Sequence, residues 1–131
     1  MKSESSFEFD GDLILVEAIV AGPKAHAIAR LVLDTGAALT TLVPEFAEAI
    51  GYTSADRVAR SVVRSAVANE RGYVIRLPQF TALGFAVPDV HVNVAALGGD
   101  LNGLLGMNFL SRFNFEIRPA AQRILVEKLD P

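Results

Sequence analysis

Apolar and polar positions exchange over short distances along this chain, and the pattern predicts mostly strands. Phe7–Val20 is rich in β-branched and aromatic residues and breaks at the turn Asp10-Gly11-Asp12. Ala21-Gly22-Pro23-Lys24 is a second turn, and His26–Leu33 a second strand that ends in the unbroken apolar run Leu31-Val32-Leu33. Two such runs around a short turn predict a hairpin. Ala38–Val43 reads as a third strand. Pro44-Glu45-Phe46-Ala47-Glu48-Ala49-Ile50-Gly51 reads as a compact helix, with proline in its first turn, glutamates near its start and glycine at its close.

The stretch 56–69 supports two readings. Arg57, Arg60 and Arg64 recur at helical spacing, as do Val58, Val62 and Ala66, while the valine content favours a strand. Asn69-Glu70-Arg71-Gly72 reads as a turn, and Tyr73–Leu77 and Phe80–Leu83 as strands. Val87–Val94 alternates, with Val90, Val92 and Val94 on one face and Asp89, His91 and Asn93 on the other. Leu97-Gly98-Gly99-Asp100 is a loop, and Leu104–Phe113 reads as a short helix with its large apolar residues bunched on one side. Phe115–Ile117 and Ile124–Lys128 are strands around the turn Pro119-Ala120-Ala121-Gln122, and Ile124–Val126 suits a core strand or a dimer sheet equally. Residues 1–6 are polar and are expected to form a disordered tail. About eight strands and two short helices make an all-β chain.

Composition narrows the function. At 131 residues the chain is one domain in size, and a 51% hydrophobic share supplies material for a core. A net charge of −3 without a Lys/Arg cluster predicts no nucleic-acid partner. Cysteine is absent, which excludes disulfides and thiolate sites. His26 and His91 stand alone, so no metal or other cofactor is implied. No apolar run is long enough to span a bilayer and the N-terminus lacks a signal core, so no membrane partner and a cytoplasmic location are expected.

The chemistry concentrates at Asp34-Thr35-Gly36. A carboxylate directly after a buried strand is costly unless it is solvated or hydrogen-bonded. Thr35 offers a hydroxyl donor, and Gly36 can turn tightly and present an unobstructed N–H. Such a tripeptide can hold a carboxylate at the mouth of a cleft, although an Asx turn would use the same residues. About seventy residues on, Asn102-Gly103-Leu104-Leu105-Gly106-Met107-Asn108-Phe109-Leu110 places two leucines and a glycine ahead of an expected helix.

Together, Leu31-Val32-Leu33-Asp34-Thr35-Gly36-Ala37 and Leu104-Leu105-Gly106 resemble the two motifs of retropepsin-like aspartic proteases, most of all the bacterial single-domain type. The resemblance covers roughly residues 12–128. It implies a closed acid-protease β-barrel over 1–131 with a flap hairpin and one or two short helices. It implies Asp34 as the catalytic carboxylate, with Thr35, Gly36, Ala37, Leu104, Leu105 and Gly106 supporting it. It also implies a flap over about 58–77, so that 57–67 is expected as strand, with Ala66, Val67, Ala68 and Asn69 near the tip facing substrate. That tip is bulkier and more charged than the glycine-rich viral flap.

The mechanism implied is peptide hydrolysis by a water activated between two carboxylates that share a proton. Asp34-Thr35-Gly36 occurs once, and Asp100 is followed by Leu101-Asn102 instead of a hydroxyl residue and glycine. An active enzyme therefore requires a homodimer with Asp34 from each subunit at the two-fold axis. Thr35 would bond across that axis, and the substrate would be an extended peptide or protein segment. Ala37 carries no side-chain donor where pepsin-like proteases place Ser or Thr, which predicts a weakly acidic optimum. The alternatives are a non-catalytic dimeric peptide-binding or dimerisation module of the same fold, and a P-type ATPase phosphorylation motif. The second lacks the lysine after the aspartate and the α/β pattern around it.

Overall fold

The computed structural model describes residues 1–64 and 69–129. Eleven strands are present among them: β1 Lys2–Ser6, β2 Glu8–Asp10, β3 Leu13–Ala21, β4 His26–Leu33, β5 Thr41–Leu42, β6 Ala59–Arg64, β7 Asn69–Ala82, β8 Phe85–Val94, β9 Gly103–Leu105, β10 Phe113–Arg118 and β11 Arg123–Lys128. Two short helices, α1 Pro44–Ala49 and α2 Met107–Leu110, and a 3-10 turn at Ser54–Asp56 complete the elements. Six strands run β3-β4-β9-β5-β8-β7, and a β3–β7 pairing returns to the start, so the barrel closes. β2 and β6 extend from its two ends, on β3 and β7. A second, three-stranded sheet has the order β1-β11-β10.

Strand alternation sets the inside of the barrel. Val16, Ala18 and Val20 of β3 are buried and Glu17 and Ile19 between them are exposed. Ala29 and Leu31 of β4, Ile75 and Leu77 of β7, and Val90 and Val92 of β8 complete the lining. Helix α2 enters this core with Phe109 and Leu110 fully buried. Phe109 packs on Phe80 and Phe113 at ring-centre distances of 5.3 and 5.1 Å, and Phe113 stacks on Phe85 at 5.2 Å. The phenylalanines Phe109 and Phe113 are therefore core. Among the described residues, no helix is long and apolar enough to cross a membrane.

Several expectations are corrected. Residues 2–6 are not a tail: all five pair antiparallel with β11, from Lys2↔Glu127 to Ser6↔Arg123. Serine-rich polarity suits this position because β1 is an edge strand. The strand expected over Ala38–Val43 shrinks to Thr41–Leu42, because the carbonyls of Ala37 and Ala38 accept from Met107 and Asn108 at the start of α2. The helix expected over Leu104–Phe113 divides into β9, α2 and the start of β10. Gly106 is fully extended (φ −103°, ψ −177°) and separates β9 from α2, and the helical spacing of leucines and phenylalanines arises because both elements face one core.

Tyr73–Leu77 and the expected strand from Phe80 join in one long strand, β7, which ends at Ala82 with Leu83 in the turn beyond, and in which Pro78 only interrupts the ladder to β8. The turn expected at 69–72 is also part of β7, with Ser61↔Gly72 and Arg64↔Asn69 in register. Within 56–69 the strand reading holds over Ala59–Arg64. Ala66, Val67 and Ala68 lie outside the described residues; Asn69 opens β7. Asn93, expected on the polar face of β8, is buried. Helix α1 falls where its proline predicted, ends at Ala49, and is followed by Gly51 with φ +106°.

Candidate active site

Asp34 stands at the first position beyond β4. That strand runs parallel to β9, with Leu31↔Gly103, Val32↔Leu104 and Leu33↔Leu105 in register. The two motifs separated by about seventy residues are thus adjacent strands. The pairing continues past the strand end, where the Asp34 N–H donates to the Leu105 carbonyl at 2.9 Å. Half-buried, the Asp34 carboxylate accepts from the Gly36 N–H at 2.9 Å through Oδ1. The Asp34 carbonyl accepts from Ala37 N–H at 3.3 Å, so the chain reverses within four residues. A Cβ at position 36 would stand 3.2 Å from Asp34 Oδ1, a tight contact that would press on the carboxylate. Thr35 is exposed at the tip of the loop.

The remainder of the loop is fastened to α2. Met107 N–H donates to Ala37 O at 2.8 Å and Asn108 N–H to Ala38 O at 3.0 Å. Gly106 lies so close to the loop that a Cβ would be 2.6 Å from the Leu39 carbonyl carbon. These contacts bring together Asp34, Gly36, Ala37, Leu104, Leu105 and Gly106. Asp100 is exposed in the loop between β8 and β9. The hairpin of β6 and β7 pairs from Ala59↔Val74 to Arg64↔Asn69. Burial raises the Tyr73 phenol on this hairpin above its usual range, and Glu48 and then Asp56 add to the rise.

Three residues that matter to this geometry were not singled out in the sequence. Thr40 is fully buried, and its hydroxyl accepts from Gly106 N–H at 3.0 Å while donating to Asn108 Oδ1 at 2.9 Å. Asn108 Oδ1 also accepts from Thr40 N–H at 2.8 Å, and Asn108 Nδ2 donates to the His91 carbonyl at 2.7 Å. Asn102 closes the other end of β9, accepting from Arg30 N–H at 2.8 Å through Oδ1 and donating its own N–H to Arg30 O at 3.1 Å. The available signal was a polar residue stranded among apolar neighbours, in Leu39-Thr40-Thr41-Leu42 and Met107-Asn108-Phe109-Leu110. Among the described residues, no group of three His, Cys, Asp or Glu side chains converges as a metal site requires.

Comparison with known proteins agrees with this geometry. Residues 20–112 match the family described as gag-polyprotein putative aspartyl protease. The chain belongs to this family. The matched span contains both motifs and five of the six barrel strands, with the last two residues of the sixth, β3. No curated protein sequence matches the chain. Among solved structures, it is similar to a retropepsin-like aspartic protease from Rickettsia conorii, with a TM-score of 0.70 and 22% identity, over 96% of this chain and 91% of that one. It is also similar to the retroviral protease-like domain of Ddi1 from Leishmania major, with a TM-score of 0.58 and 15% identity, over 92% and 97% of the two chains. At these identities the likeness is one of fold. The retropepsin-like all-β barrel expected from the two motifs is therefore the fold of this aspartyl protease-family chain.

Proposed function

We propose that this protein is an aspartic endopeptidase, active as a homodimer with one Asp34 from each subunit. The observation that carries the reading is a single half-buried Asp34 carboxylate, hydrogen-bonded by Gly36 N–H, in a loop whose backbone is fixed on β9 and α2. Rigid loops of this kind hold a reacting group in one geometry. In the dimer one carboxylate is ionised and the other protonated, since two like charges at contact distance do not ionise together. The ionised one takes a proton from a water molecule whose oxygen attacks the peptide carbonyl. The protonated one donates to the carbonyl oxygen. Collapse of the tetrahedral intermediate breaks the C–N bond as the amine leaves with a proton.

In this reading the neighbouring residues support the carboxylate. Exposed Thr35 bonds across the two-fold axis, Gly36 and Ala37 shape the carboxylate loop, and Leu104, Leu105 and Gly106 form the strand end on which it rests. The β6–β7 hairpin serves as the flap over an extended peptide substrate that is held by backbone pairing. With alanine at position 37, the activity optimum is weakly acidic.

Two measurements test the reading. Purified protein and Asp34→Asn are incubated with an internally quenched peptide library from pH 4 to 8, and both are sedimented to determine assembly state. Cleavage by the wild type alone, from a dimer, is the expected result. Equal background in both proteins, with the dimer intact, would overturn the endopeptidase reading in favour of a non-catalytic peptide-binding module.

A further inference from the structure

We propose that Ser61 and Asn93 form a latch that sets the angle at which the β6–β7 hairpin leaves the barrel, making them positioning residues for substrate. The inference rests on the reading of this hairpin as the flap. Strand β6 is an edge strand bonded to β7. A hairpin held only along one ladder can twist about its base. Ser61 supplies a second point of attachment: its hydroxyl donates to Asn93 Oδ1 on β8, the strand beyond β7.

The sequence makes this reach possible at one register position. Ser61 is opposite Gly72, and Asn93 is opposite Val74. Since Gly72 has no side chain, the serine hydroxyl passes over β7. A Cβ at position 72 would lie 3.0 Å from both Ser61 Oγ and the Ala95 Cβ. Asn93 is only 4% exposed, among buried Val92, Val94 and Ala95. An amide at such a position is unfavourable unless it is hydrogen-bonded.

Asn93 also joins the hairpin to the Asp34 loop. It pairs in parallel with Thr41, and its N–H donates to the Thr40 carbonyl at 2.8 Å. Thr40 in turn holds Gly106 and Asn108. The hydroxyl of Ser61 is therefore two residues away, through Asn93 and Thr40, from the clamp beneath Asp34. The latch governs how a peptide is held under the hairpin, and it leaves the carboxylate loop itself unchanged.

The test compares wild type, Ser61→Ala and Ser61→Thr. Kinetics use an internally quenched peptide that the wild type cleaves, and amide hydrogen exchange is followed in the absence of peptide. Ser61→Ala is expected to raise KM about three- to tenfold, the range for one lost hydrogen bond, with kcat within about twofold. Exchange is expected to quicken in 59–64 and to stay unchanged in 26–33. Ser61→Thr, which keeps the hydroxyl, restores both. Unchanged KM in Ser61→Ala, a fall in kcat at constant KM, or β6 exchange equal to wild type would each overturn the latch. If the wild type cleaves no peptide, the endopeptidase reading fails, and the exchange result alone decides the latch.

Discussion

At the scale of single residues, one hydroxyl and one amide organise the site. Thr40 Oγ1 acts as acceptor and donor at once, and Asn108 Oδ1 receives two bonds from Thr40. Removing the amide leaves the buried Thr40 N–H and hydroxyl without their acceptor, and each unmet group costs on the order of 1–3 kcal/mol. Asn108→Ala is accordingly expected to lower stability by about 2–4 kcal/mol in urea unfolding, and to reduce kcat by freeing the loop that holds Asp34. A variant as stable as wild type would remove Asn108 from this role. Asp34→Asn, by contrast, is expected to leave stability unchanged within about 0.5 kcal/mol while abolishing cleavage.

At the scale of elements, close approach and burial dominate. The loop 37–40 lies directly on the β9–α2 junction, so Gly106→Ala forces a methyl against the Leu39 carbonyl. Overpacking of this kind costs about 1–3 kcal/mol, and thermal unfolding should show a matching drop in Tm. Tyr52, after α1, donates its hydroxyl to the Ala21 carbonyl at the end of β3, at 3.1 Å. Burial raises its pKa above the ordinary 10.0; Asp56 adds to the rise and Arg76 opposes it. A raised folded-state value means that the contribution is complete below pH 10 and is lost as pH climbs through the folded-state value. Stability measured from pH 9 to 12 should therefore fall more steeply for wild type than for Tyr52→Phe, and parallel curves would exclude Tyr52 as the source.

At the scale of the whole molecule, the barrel closes through β3 and β7 and the three-stranded sheet depends on β1. Deleting residues 1–6 would strip β11 of one neighbour, beside buried Ile124 and Val126. The deletion is expected to lower Tm by about 5 °C or more. An unchanged Tm would show that β1 contributes little despite its pairing.

Short-range features were legible along the chain. The hairpin of β3 and β4, the helix started by Pro44, the alternation of β8 and the tight Asp34 loop are all set by residue type and period within a few positions. The sequence also placed two motifs whose resemblance implied a barrel. Pairing between distant segments was settled by the folded chain. Serine-rich 2–6 became a strand because β11 offered an edge. Leu104 and Leu105 became a strand because β4 and β5 flank them, although their spacing with Phe109 imitates a helix. Buried Thr40 and Asn93 and half-buried Asn108 became acceptors because segments distant in the chain converge on them. Periodicity records which face of a segment is apolar. It carries no information on which distant backbone donors that face will meet, and here those donors fix the loop beneath Asp34.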